Sequence, residues 1–299
     1  MKLSFQACVQ FSHLYRYFKE FKLTENMRTD PAEIEFSDYI LRLGEGIEDN
    51  VTEINENSVM IPKKYLVHDI ISLIERVFPN LGETTADWKE LIEGTIYTPL
   101  NTHMQKINVI CITRFPGERK IYISNDSIIQ EDQKDAIPEE FLNSLTPSGM
   151  PDHELVLKQG APVMLLRNLQ ASPNCSLRNG TRMIVRQLME RTVECEVAVG
   201  SYKGRKVFLP RIPMYDRSNE FPFTLVRRQF PLRVAFAVTI NKGQGQENQR
   251  VGIYLPEPVF AHGQLYTAFS RGKRGENVSV YIKDNKDGFT DNIVYKELL

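Results

Sequence analysis

Cysteine is scarce in this sequence: four in 299 residues, at Cys8, Cys111, Cys175 and Cys195. They form no CxxC pair and have no histidine at ligand spacing. That argues against a disulfide framework or a zinc site and fits a reducing compartment. Long apolar runs are missing too. The longest, Val234 to Val238, is far too short to span a bilayer, and the opening MKLSFQACVQFSHLYRYF lacks the clean apolar core of a signal peptide. A soluble, intracellular protein without membrane contact is expected. There is no excess of charge: 37 basic against 38 acidic residues leave a net charge of -1, so a polyanion partner would have to meet a local basic face. The histidines, His13, His68, His103, His153 and His262, fall in no Ser/His/Asp or metal-ligand pattern, and no metal site is expected. Repeats and low-complexity tracts are absent. What remains is ordinary globular composition, 41% hydrophobic and 25% charged, with room for one large or two modest domains.

The pattern along the chain is mixed. Residues 1–20 read as an amphipathic helix, with a short strand ending at Lys22 and Leu23. Asp30-Pro31-Ala32-Glu33 is a helix start, followed by Phe36, Ile40 and Leu43 on one face and by Gly44 as a stop. Asp69 to Phe78 predicts a helix closed by Pro79. Thr95-Ile96-Tyr97 predicts a buried strand running into a helix that carries Met104, Ile107 and Cys111. Alternation of this kind argues for a parallel α/β sheet. Past Pro147 the texture changes. Short β-like runs fill 154–224, with Asn179-Gly180 as a two-residue hairpin signal, and Ile129 to Pro151 reads as a linker. The α/β texture returns after Phe223.

Several segments could carry chemistry. Gly243 and Gly245 flank Gln244 just after an apolar strand, and Lys242 adds charge. Such a loop lets backbone N–H groups approach a phosphate, or is simply a tight turn. Arg271 ends the predicted helix 264–270, where a cation either caps the helix dipole or reaches a phosphate across a domain interface. Arg28 closes LTENMR, and pairs with Glu25 or Asp30 or serves a phosphate. Thr98-Pro99-Leu100-Asn101 joins a strand to a helix N-terminus, a setting that suits N-capping by Asn101 as well as an anion. Trp88 reads as core, and Tyr97 and Tyr202 as candidate platforms for base stacking.

LTENMR, TIYTPLN, GAPVMLLRNL, LRNGTRMIV, FPLRVAFAVTINKGQGQ, VGIYLPEPVFAHGQLYTAFSRG and NIVYKELL, in this order, resemble the petite-integration-frequency (PIF-type) DNA helicases, most closely the branch carried by Helitron transposons. The resemblance covers nearly the whole chain. It implies a RecA-like second motor domain from 1–146 and 225–299, with a small all-β, Src-homology-3-like barrel inserted at 147–224. It implies ATP-dependent 5′-to-3′ unwinding of DNA. By the same resemblance Arg28 and Arg271 match two arginines that contact the ATP γ-phosphate. Gly245, Gln246 and Glu247 fall in the loop beside the nucleotide. Thr98, Asn101, Thr239 and Lys242 match positions along single-stranded DNA.

Two departures stand out. Gly243 sits where the family usually has Ser. No GxxxxGK[ST] loop and no strand-borne Asp-Glu pair occurs, so ATP and Mg²⁺ would be held mainly by an N-terminal motor domain not among these residues. A fragment, a partial gene model or a decayed transposon copy would look like this, and the chain alone is expected not to hydrolyse ATP. The rival readings are a non-catalytic single-stranded-DNA-binding or helicase-docking remnant, and an unrelated phosphate-binding α/β enzyme. A nuclear location is expected, with the mitochondrion as the alternative.

Overall fold

A computed structural model describes the chain apart from residues 1–8, 22–26, 48–56, 84–87, 130–136, 217, 219, 284–286 and 297–299. The strand expected at Lys22 and Leu23 and most of LTENMR lie outside the described residues. At the centre is a four-stranded parallel sheet, ordered Ala237–Thr239, Gly94–Thr98, Arg250–Leu255, Val278–Ile282. All five residues of Gly94–Thr98 are buried, as a strand covered on both faces requires. Side chains alternate across a strand, so Ile96 and Tyr97 enter different clusters. Ile96 joins Leu73, Ile74 and Ile107, from the helices Ile70–Val77 and Asn101–Arg114. Tyr97 joins Phe36, Leu43, Leu265 and Phe269, from Ile34–Glu45 and Gln264–Phe269. The result is an α/β layer of the RecA type. Among the described residues no helix is long and apolar enough to cross a membrane.

The β-rich part is antiparallel. Five strands run in the order Lys206–Pro210, Thr192–Val197, Arg182–Leu188, Pro162–Leu165, Leu232–Val234. Three more, Ile212–Tyr215, Leu225–Gln229 and Asn125–Ile128, form a separate sheet. The last joint depends on one buried ion pair. Arg227 Nε donates to both carboxylate oxygens of Asp126 at 3.0 Å, and its NH1 and NH2 groups donate to the carbonyls of Leu145, Pro151 and Leu142. Both side chains are wholly buried. One guanidinium thereby fastens the segment 142–151 to two strands.

Local readings fared unevenly. The helix over Ile70–Val77 forms as expected, with the Asp69 carboxylate accepting the Ser72 N–H at 2.8 Å. The helix expected at Asp30 begins at Ile34, because the Asp30 carboxylate is taken up by the Ala32 N–H and the Arg274 guanidinium. It ends at Gly46, with φ of 65°, and not at Gly44. Gly44 serves close packing, since a Cβ there would lie 2.9 Å from a ring carbon of Tyr266. The described part of the expected N-terminal helix is two short 3₁₀ turns, Val9–Phe11 and Tyr15–Tyr17, with Val9, Phe11 and Tyr17 exposed. Asn179-Gly180 makes a turn with Gly180 at φ of 90°, but no two-residue hairpin, because a side hairpin of Leu169–Ser172 with Cys175–Leu177 intervenes.

Removing one partner of a buried ion pair strands the other. Arg227→Met is expected to lower stability by about 3–5 kcal/mol in urea unfolding. A loss below about 1 kcal/mol would contradict the role given to this pair.

Candidate functional site

The site grows from the Ala237–Thr239 strand. After Thr239 the chain makes a 3₁₀ turn, Ile240–Gly243, and Gly245 takes a φ of 82°, a conformation that favours glycine. Gln246 N–H donates to the Gly243 carbonyl at 3.1 Å and its side-chain amide to the Lys242 carbonyl at 3.3 Å. The loop re-enters the sheet beyond Asn248, whose N–H donates to the Arg271 carbonyl at 3.1 Å.

Arg271 follows the helix Gln264–Phe269, on the far side of this loop. Its side chain is buried and bonded to backbone: Nε donates to Thr267 O at 2.9 Å, and NH1 to Gln246 O at 3.0 Å and Gly243 O at 3.3 Å. NH2 donates to Ser270 Oγ at 2.9 Å. Burial pulls its pKa below the ordinary arginine value, and the nearby positive charge of Arg28 adds to this. The charges of the two arginines, 243 positions apart in sequence, therefore interact, with Arg271 buried and Arg28 exposed.

That convergence has a cause. Asp30 N–H donates to the Lys273 carbonyl at 2.9 Å, and Arg274 donates to the Asp30 carboxylate through Nε at 3.0 Å. Lys273 Nζ lies 3.4 Å from Glu247, fastening the glycine loop to the same corner. Between these groups opens a polar cleft of about 480 Å³, lined by Arg28, Asp30, Glu247, Lys273 and Arg274. Arg28 itself is exposed.

The second group of residues sits at the C-terminal end of the sheet. Thr98 and Thr239 are direct neighbours in the parallel register. The Thr98 hydroxyl donates to Leu100 O at 3.0 Å. Asn101 is exposed and is the first helical residue. It is not the cap, a position held by Leu100 without any side-chain bond. Lys242 is half-buried. Burial first, then the neighbouring Arg233, hold its pKa below the ordinary lysine value. Of the stacking candidates, Tyr97 is wholly buried and cannot meet a base, whereas Tyr202 is partly exposed. Trp88 is only partly buried, with the Arg186 guanidinium 4.1 Å above its ring.

Cations and loop N–H groups suit a phosphate edge. Among the described residues no three His, Cys, Asp or Glu side chains cluster as a metal ion would need. The rim can therefore complement phosphate charge.

A parallel sheet with a cationic loop corner, joined to an antiparallel β region, is an α/β fold of the RecA type. Solved structures agree on the fold. A Pif1 helicase from Candida albicans superposes with a TM-score of 0.60 at 20% identity, covering 97% of this chain and 62% of that one. A Bacteroides Pif1 helicase in complex with ADP-AlF3 and ssDNA gives 0.58 at 20% identity, covering 93% and 55%. Residues 140–188 match the family described as DNA helicase Pif1, 2B domain. The Xenopus laevis ATP-dependent DNA helicase PIF1 is 30% identical over 212 residues, 68% of this chain and 30% of that protein. Its Homo sapiens counterpart is 30% identical over 206 residues, 66% and 29%. The chain thus belongs to the PIF-type DNA helicases, and spans under a third of these two relatives' length.

Sequence reasoning missed Tyr97, Asn248 and Arg182 as parts of this corner. Gly243, where the family usually has Ser, has a packing reason of its own. A Cβ at Gly243 would stand 2.2 Å from a ring carbon of Tyr97, so the ring already fills that space. Gly243→Ser is expected to lower stability by about 1–3 kcal/mol through overpacking. The loss should shrink when Tyr97→Leu makes room. Thermal melts giving Gly243→Ser the wild-type midpoint would contradict the overlap.

Proposed function

We propose that these residues form the second motor lobe, with its β insert, of an ATP-dependent 5′-to-3′ DNA helicase. The domain division is 1–146 and 225–299 for the motor, with 147–224 inserted as a Src-homology-3-like barrel. Leu232–Val234 lends that barrel's sheet an edge strand. The observation that supports the reading is the electrostatic proximity of Arg28 to Arg271, whose guanidinium bonds to the carbonyls of Gly243 and Gln246 in the glycine loop. Two guanidiniums there would neutralise charge on the γ-phosphate of ATP held, with Mg²⁺, by a first motor lobe that carries the phosphate loop. Thr98, Asn101, Thr239 and Lys242 would line the path of single-stranded DNA. Relatives spanning more than three times the matched length support a division of labour between lobes. The setting would be intracellular, at nuclear or mitochondrial DNA.

A second reading, a non-catalytic remnant that binds single-stranded DNA or docks on a complete helicase, draws on one feature. The Arg271 donors are engaged by the chain's own carbonyls and so do not project. ATP turnover by a complete protein containing this chain separates the two readings.

The 299-residue chain alone should bind oligothymidylate and turn over no ATP. Fluorescence anisotropy across a salt series should give a log–log slope of about −0.7 per phosphate contact, and Lys242→Ala should make it shallower by about that amount. Lys242 binds phosphate as a cation. Its depressed pKa means this contribution is present at neutral pH and fades as pH rises, earlier than for an ordinary lysine. Salt-independent binding, or DNA-stimulated ATP turnover by the isolated chain, would overturn the reading.

A further inference from the structure

Arg182, on the strand Arg182–Leu188 of the β region, is buried against the motor sheet. Among the described residues no carboxylate pairs with it. NH1 donates to Ile92 O at 3.1 Å and to Asn248 Oδ1 at 2.9 Å, and NH2 donates to Gly94 O at 3.1 Å. Among the described residues its Nε finds no hydrogen-bond acceptor. A guanidinium buried among neutral acceptors is unfavourable by itself. Its geometry joins the antiparallel region to the loop that holds Arg271.

The contacts run on from Asn248 without a gap. Asn248 Oδ1 also accepts the Thr95 hydroxyl at 3.0 Å, and its Nδ2 donates to the Tyr97 hydroxyl. Burial pushes the Tyr97 hydroxyl up to about 12, so it stays neutral. The Tyr97 ring closes against Gly243, whose carbonyl accepts Arg271 NH1 at 3.3 Å. The loop is thus held at its start by the Tyr97 ring and at its end by Arg182 through Asn248. Arg271 is bonded to both ends, through its side chain at Gly243 and its carbonyl at Asn248.

We infer that Arg182, acting through Asn248 and Tyr97, is a positioning residue for Arg271, so that the seating of the β region on the motor sheet sets where the Arg271 guanidinium points. The inference rests on the reading of Arg271 as a phosphate-contacting group. A shift of the β region, as DNA enters or leaves, would reach the nucleotide edge through this buried connection.

Hydrogen–deuterium exchange on the 299-residue chain tests it. Arg182→Met and Tyr97→Phe should each raise exchange in 239–249 and 263–273 about tenfold, as loss of one buried hydrogen bond implies. Arg182→Lys keeps a donor toward Asn248 and should restore most of the protection. Arg205→Met, whose guanidinium bonds to Ser172 Oγ and Asn174 O within the β region, should leave both segments unchanged. Oligothymidylate affinity should fall severalfold in Arg182→Met, since Lys242 rides on the loop. If Arg182→Met does not fold, Tyr97→Phe carries the test, because it removes one hydroxyl and keeps the ring on Gly243. Unchanged exchange in 239–249, a rise confined to the β region, or a uniform rise across the chain would each overturn the inference. Failure of the wild-type chain to bind oligothymidylate would count against the proposed function and leave the exchange result standing.

Discussion

The loop between Thr239 and Asn248 depends on its bonds to Arg271. Gly243 and Gln246 offer carbonyls to the guanidinium, and Asn248 returns a hydrogen bond to the Arg271 carbonyl. Break that exchange and the glycine turn loses its template, the helix 264–269 loses its anchor, and the cleft beside Arg28 loses one wall. Hydrogen bonds to a charged donor in a dry corner are stronger than their exposed counterparts. One side chain therefore organises a stretch whose glycines leave it little shape of its own.

Around this corner two kinds of surface adjoin. The rim with Arg28, Lys273 and Arg274 presents positive charge to the outside, balanced by Asp30 and Glu247. The adjoining sheet end carries Thr98 and Thr239, both buried, and the half-buried Lys242. Glu247 on the first border and Lys242 on the second belong to the same short loop. Such adjacency is what a motor needs if phosphate chemistry is to move a strand, and rigid packed elements transmit it better than a flexible linker would.

Much of this was legible in the sequence, for stated reasons. Thr95-Ile96-Tyr97 reads as a strand because a sheet covered on both faces leaves no polar alternation. The helix over Asp69 to Phe78 was legible from its spacing and Pro79, and its capping by the Asp69 carboxylate at the Ser72 N–H is what the structure adds. Arg271 and the glycine loop were legible as a motif, whereas their mutual bonding was not. The rest is non-local. Arg182 meets Asn248 across 66 positions, and nothing in either neighbourhood marks the contact. Tyr97 looked like a stacking platform because sequence spacing does not reveal that Gly243 leaves room for its ring. Asn101 looked like a cap, but Leu100 already holds the extended backbone before the helix. The N-terminal apolar pattern suggested a helix, yet the described turns find no partner surface to drive one.

The central claim is that Arg271 serves a nucleotide bound by another lobe. The direct measurement is ATP turnover by this chain joined to the phosphate-loop lobe of a PIF-type relative, compared with the same protein carrying Arg271→Ala. The expected result is DNA-stimulated turnover that falls by about 10³ to 10⁵ in the variant, the magnitude of an arginine finger. Turnover that survives Arg271→Ala unchanged would contradict the claim.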